Sequence, residues 1–245
     1  MHYAVRKRKR FRSRKTTFFS QAIHNRPIII GMLILAGVDV NCKSFGRYGR
    51  NHFEIHVFFL LSILNHFSGG TPLHYACRHG SFDAVSCLLG NLGSIQFDYQ
   101  GWSPIHHAAY CDHVPILRLL YNKHPELLEQ TTDDKYTFDL ISTWNSLNSR
   151  RKSTPLLLAT TSGALDAVQC LVSLGAQISS KDTLGHTVIH LAASNLHTNV
   201  IEYFIHLNDR LVPTWRILVG KNSHFFFKNT LMFMNVFFVL SIRFN

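Results

Sequence analysis

Apolar residues along this chain come in short paired runs with polar turns between them, most clearly from residue 154 onward. Thr154-Pro155 opens the run Leu156–Ala159, and Gly163 closes it. A Thr can cap free amides, a Pro fits the first helical turn, and a Gly ends a helix without a Cβ penalty. Val168, Leu171 and Val172 then recur at the helical period. Gly175-Ala176-Gln177-Ile178 leads out, and Asp182-Thr183-Leu184-Gly185 turns into the next run. The pattern predicts a helix–turn–helix unit. One such unit cannot bury both faces of its helix pair, so units must stack.

The same order recurs. Thr71-Pro72-Leu73-His74-Tyr75-Ala76, Ser103-Pro104-Ile105-His106-His107-Ala108, Thr154-Pro155-Leu156-Leu157-Leu158-Ala159 and Thr187-Val188-Ile189-His190-Leu191-Ala192 begin four units. The first two starts are 32 residues apart and the last two 33. Gly80 and Gly163, Val85 and Val168, and Cys87 and Cys170 agree in phase, with Leu119 and Tyr203 at the cysteine position. This resembles the ankyrin repeat family, whose unit of about 33 residues carries T-P-L-H-x-A. The resemblance implies an all-α ankyrin-repeat solenoid, with short finger hairpins rather than a true sheet. About four units are expected, plus a partial N-terminal one. Upstream, Gly37-Val38-Asp39-Val40-Asn41 reads as a unit exit. That places Thr16-Thr17-Phe18-Phe19 at a unit start and Ile29, Ile30, Met32 and Leu33 on a second helix. Leu157 replaces the family's His, Val188 its Pro, and Asp112 and Leu196 its Gly. Units with these changes are expected to be less stable. Residues 104–128, 154–165 and 212–219 are similar to family members in which an armadillo array follows. Here the chain leaves the pattern after Val219, so that array is expected to be absent.

Two spacings are too long. The expected division is a basic arm 1–15, a partial unit 16–50, an apolar insertion 51–70, and units 71–102 and 103–134. An insertion 135–152, a unit 153–186, a unit with exit helix 187–219 and a Phe-rich tail 220–245 complete it. One reading makes the two insertions long loops between units. A second makes 51–70 and 221–245 translated non-coding sequence, because joining Tyr48-Gly49-Arg50 to Thr71 restores a good junction. Mature transcripts that carry 51–70 in most reads exclude the second reading.

Charge changes the picture only at one end. The formal net charge is +11. Arg6, Lys7, Arg8, Lys9, Arg10, Arg12, Arg14 and Lys15 supply most of that excess, so the body is no general nucleic-acid binder. The arm reads as a solvated tail, a nuclear import signal or an anionic-surface binder, and any nucleic-acid binding through it is expected to be non-specific. Five cysteines without C-x-x-C spacing rule out a disulfide scaffold and fit a reducing compartment. The expected location is intracellular, cytoplasmic or nuclear. The alternative is a membrane-associated protein held by the apolar run 225–244, although this run and 53–67 are short and interrupted for a bilayer span. No secretory signal is visible at the start.

No G-x-S-x-G, H-E-x-x-H, P-loop or dinucleotide fingerprint occurs, and no nucleophile sits beside a base. The chain is expected to be non-catalytic, with no cofactor, no metal and no small-molecule substrate. His74, His106 and His190 are expected to bond backbone at the unit starts rather than hold a metal. His106, His107, Cys111 and His113 form the densest ligand-type cluster but lack zinc-site spacing. The resemblance implies a concave face built by finger tips and first helices, which would bind a protein partner. Its finger positions are Tyr99, Gln100 and Trp102, then Thr183, Leu184 and His186. Its helix positions are Arg78 and His79, Tyr110 and Cys111, Thr161 and Ser162, and Ser194 and Asn195. Tyr99, Trp102 and Tyr110 are expected to form an aromatic patch of the kind that dominates interface energies. Trp102→Ala should then weaken partner capture without unfolding the array. Packing of that ring against the neighbouring finger is the competing expectation.

Overall fold

The computed structural model describes residues 17–44, 69–132 and 152–207. Among them the α-helices fall into five consecutive pairs. The first pair is α1 (17–23) and α2 (Pro27–Leu35). Next come α3 (Pro72–Arg78) with α4 (Phe82–Gly90), and α5 (Pro104–Tyr110) with α6 (Val114–Lys123). The last pairs are α7 (Pro155–Ser162) with α8 (Leu165–Ser173), and α9 (Val188–Ser194) with α10 (Thr198–Leu207). A 3-10 turn, Pro125–Glu129, extends the third pair.

The first helices α3, α5, α7 and α9 lie side by side in one row, and the second helices form another. Small residues make the first row close-packed: Ala76, Cys77, Ala108, Ala109, Ala159, Thr160 and Ala192 are all fully buried. Thr160 is polar, but its hydroxyl donates to Leu156 O at 2.8 Å, so burial leaves no orphan group. Val85, Leu88, Leu117, Leu120, Val168, Leu171, Val200 and Phe204 fill the space between rows. One continuous core runs from Phe18 to Phe204.

The turn inside every pair uses a left-handed residue. Gly80 (φ 74°) and Gly163 (φ 76°) supply it in the second and fourth units. Asn25 (φ 53°), Asp112 (φ 63°) and Leu196 (φ 61°) supply it in the others. The choice decides how adjacent units are tied. A Cβ on Gly80 would lie 2.8 Å from the His113 ring, and one on Gly163 would lie 2.5 Å from His197. Those rings sit over the glycines so that Nε2 donates to a carbonyl of the preceding unit, Arg78 O at 3.0 Å and Thr161 O at 2.9 Å. At the other junctions the left-handed residue reaches forward instead. Asn25 Oδ1 accepts from Ala84 N at 2.8 Å, and Asp112 Oδ1 accepts from Ala167 N. Both amides belong to the first turn of a helix whose own N-cap side chain makes no such bond.

The first unit is open on its outer side. α2 is apolar all round, and Ile28 (75% exposed), Met32 (63%) and Leu35 (90%) form a stripe down one face. Ile30 of the same helix is fully buried.

Candidate functional site

Four fingers project from the junctions between units, and all four are closed by the same backbone bond. Ser44 N donates to Gly70 O (2.9 Å), Asp98 N to Trp102 O (2.9 Å), Thr132 N to Ser153 O (3.0 Å) and Asp182 N to His186 O (3.0 Å). Each returning limb passes through a left-handed residue at the same place: Gly69, Gly101, Lys152 or Gly185. The second and fourth fingers are tight turns. Between the closing residues of the first and third lie residues 45–69 and 133–152. Residues 45–68 and 133–151 lie outside the described residues, and with them most of the expected insertions 51–70 and 135–152, as do the basic arm and the tail beyond 207.

In the tight fingers a buried carboxylate ties the loop. Asp98 Oδ1 accepts from Gln100 N (2.8 Å) and Trp102 N (2.9 Å), and Oδ2 accepts from His107 Nε2 (3.0 Å). Burial pushes this carboxyl up, but the bond from His107 and the charges of His107 and His74 outweigh it and hold the group below the usual carboxylate range. Asp182 repeats the device with Leu184 N, His186 N and His186 Nδ1. In the third finger Thr132 Oγ1 takes the bond from Ser153 N at 3.0 Å. In the first, Tyr75 donates its hydroxyl to Ser44 Oγ, the counterpart of His107 reaching Asp98.

The unit-start histidines link helix to finger. His74 Nδ1 accepts from Thr71 N (3.0 Å), and Nε2 donates to Trp102 O (3.1 Å). His106 Nδ1 accepts from Ser103 N (3.0 Å), and Nε2 donates to Gln130 O (2.9 Å). His190 Nδ1 accepts from Thr187 N (3.1 Å). A backbone N–H on one side and a carbonyl on the other leave His74 and His106 one neutral tautomer, with the proton on Nε2. Burial pushes His74 down to about 4 and His106 down to about 3, and it also lowers His190. His106, His107 and His113 spend ring nitrogens on separate partners, Gln130 O, Asp98 and Arg78 O.

Among the described residues the tight fingers and the first helices make up one wall, and the positions expected there are exposed or half-buried. Arg78, Trp102 and His186 are half-buried; His79, Tyr99, Gln100, Tyr110, Thr183, Leu184, Ser194 and Asn195 are exposed. Cys111, Thr161 and Ser162 are half-buried. The aromatic residues divide. Trp102 meets His107 at a tilt of 48° (5.1 Å between centroids) and Tyr110 edge-on (5.3 Å). His107 in turn meets His74 edge-on at 5.7 Å, so a ladder of four rings lies along the second and third units. The Trp102 ring thus packs on the first helix of its own unit. Tyr99 turns the other way, laying its ring over the Gly69 backbone with Lys43 Nζ 5.8 Å above it. The signal for the wall was the finger turn D-x-x-G plus the unit start. The split of the aromatic patch had no sequence signal, because it depends on which neighbour each ring meets. Arg78 lines a shallow depression with His74, Tyr75 and His107.

Among the described residues, no group of three or more His, Cys, Asp or Glu side chains is placed to hold a metal ion. No helix among them is long and apolar enough to cross a membrane, and the run 225–244 lies outside them.

Comparison with known proteins agrees with this architecture. The family model described as "Ankyrin repeats (3 copies)" matches residues 19–131 and 133–212. The chain is 36% identical over 207 residues to the ankyrin and armadillo repeat-containing protein of Mus musculus, covering 82% of this chain and 12% of that protein. Against the Homo sapiens protein of the same name it is 35% identical, covering 83% and 12%. It is 26% identical to the NF-kappa-B inhibitor zeta of Homo sapiens over 57% of this chain and 17% of that one. The chain therefore spans about an eighth of the length of the first two relatives. Stacked helix pairs, a repeated Thr/Ser-Pro-x-His start and four equivalent fingers, matched by the family model over most of its length, show that the chain belongs to the ankyrin repeat family.

Proposed function

We propose that this chain is a non-catalytic protein-interaction module that captures its partner on the wall of finger tips and first helices. One observation carries the reading. The wall presents Tyr99, Tyr110 and Leu184 to solvent, at 37%, 39% and 63% exposure, directly above a fully buried core. Exposed aromatic and apolar residues on a rigid scaffold are the usual anchors of an interface. Ankyrin repeats are protein–protein interaction modules, which supports the same reading. The non-catalytic part rests on chemistry. Burial pushes the thiols of Cys77, Cys87, Cys111 and Cys170 up, away from the thiolate a nucleophile needs. The unit-start histidines are neutral and hydrogen-bonded to backbone. No disulfide joins any of the five cysteines, which supports a reducing, intracellular setting.

Placing a photo-crosslinking amino acid at Tyr110, and separately at Lys123 on the second-helix row, tests the reading. Adducts in cells should form from position 110 and not from 123. Equal yields from both positions, or adducts only from 123, overturn it.

A further inference from the structure

Resting on the wall reading above, we propose that the partner segment is acidic: a peptide whose carboxylate pairs with Arg78 and whose apolar side chain seats on Trp102 and Tyr110. Among the described residues the first-helix row carries one Lys or Arg and no carboxylate. That cation is Arg78 on α3, whereas Lys43 at the first finger already donates its Nζ to Phe97 O at 3.1 Å. Of the carboxylates nearest that row, Asp98 and Asp182 are buried and bonded to loop amides and histidine rings, and Asp112, in the turn after α5, accepts from Ala167 N. Helices α3, α5, α7 and α9 carry no Asp or Glu at all. The exposed acids Asp83, Asp166 and Glu202 belong to the second-helix row, and Glu126 to the 3-10 turn beyond α6. Asp39 and Glu129 lie where the chain leaves that row, bonded to Asn41 N and Gln177 N.

Arg78 is the centre of this arrangement. Its side chain lines the depression between His74, Tyr75 and His107, next to the Trp102–Tyr110 pair. No carboxylate among the described residues pairs with it. A guanidinium held half-buried beside rings is weakly hydrated and matches a carboxylate with two parallel donors. A small anion would meet this guanidinium alone, whereas a peptide meets it and the neighbouring rings together. Peptide rather than nucleic acid is favoured because exposed Tyr110, with Tyr99 and Leu184 further along the wall, offers apolar contact rather than a run of positive charge.

Selection of random displayed dodecapeptides on the full chain tests this, run in parallel on a variant with the Lys and Arg of residues 6–15 changed to Gln and Ser. Pools rich in Asp and Glu with one aromatic or aliphatic residue are expected from both baits. A fluorescein-labelled peptide from the pool should lose about tenfold or more in affinity with Arg78→Glu, and severalfold with Tyr110→Ala. Lys123→Glu should leave binding unchanged, and circular dichroism of each variant reports folding. Acidic enrichment only when the arm is intact, or a pool with no acidic bias, overturns the acidic chemistry, while a Tyr110→Ala effect would keep the wall. Peptides insensitive to both Arg78 and Tyr110 overturn the wall itself. A single-stranded oligonucleotide that displaces the peptide at lower concentration overturns the choice of a peptide partner.

Discussion

At the scale of single residues, the histidines carry the most distinctive physics. His74 and His106 each sit between an N–H donor and a carbonyl acceptor, so a second proton would set two hydrogens against each other on the Nδ1 side. The unfolded chain takes up protons near pH 6.5, whereas the folded rings resist down to about 4 and about 3. The unfolded state therefore binds more protons in that window. Stability is complete above about pH 6.5 and declines as pH falls toward 4, by up to about 1.4 kcal/mol per pH unit for each ring. Urea midpoints measured from pH 7 to 4.5 should show this slope, and His106→Leu should flatten it. The same change leaves Ser103 N–H and Gln130 O without their partner, at a cost of about 2 kcal/mol at pH 7. Leu157 shows why the slot accepts both residues: it is fully buried, and Thr154 Oγ1 alone caps its N–H. The histidine positions are readable in the sequence because the unit start repeats. The glycine–histidine contacts are less so, since His113 and His197 lie outside that start. Gly80→Ala should destabilise by about 1–2 kcal/mol from its left-handed φ alone. His113→Ala should remove any further cost that comes from the ring, as a double-mutant cycle in thermal unfolding would show.

At the scale of elements, helices here are capped across units. The N-cap of α8 is Ala164, which has no side-chain oxygen, and the helix's Ala167 N–H is taken by Asp112 of the preceding unit. α4 is served in the same way by Asn25. Asp112→Ala should cost about 1 kcal/mol as a lost cap, with further strain from its left-handed backbone. Asp112→Gly should cost less, because Gly relieves the strain while losing the same bond. Comparing the two melts separates the contributions. The chain pattern alone reads Asp112 and Leu196 alike, as departures from Gly that weaken their units. The structure distinguishes them, because Asp112 makes a bond to a residue 55 positions away that no local pattern displays. Leu196 has the same left-handed backbone (φ 61°) and an exposed apolar side chain. Leu196→Gly should therefore stabilise by about 1 kcal/mol, read as a higher melting temperature.

At the scale of the whole molecule, long-range order comes from repetition of two junction types. Where a histidine covers a glycine the finger is tight, and where Asn25 or Asp112 reaches forward the finger is long. Helix rows and core are legible from apolar spacing, because stacking identical units leaves few alternatives. The alternation is not legible, because it joins turn residues to fingers of a different unit. Replacing residues 45–69 by a Tyr-Gln-Gly triplet like residues 99–101 should leave the array folded and raise its stability by about 2 kcal/mol, since each doubling of loop length costs about 0.6 kcal/mol. A lower urea midpoint for the shortened chain would show that the long tip contributes contacts of its own.

The identical closure of short and long fingers means that the solenoid does not register what lies beyond its clasps. A foreign stretch stitched between Asp182 and His186 would inherit the same bond and the same left-handed return. Selection can thus lengthen, swap or erase each tip separately, trying new cargo on an unchanged frame.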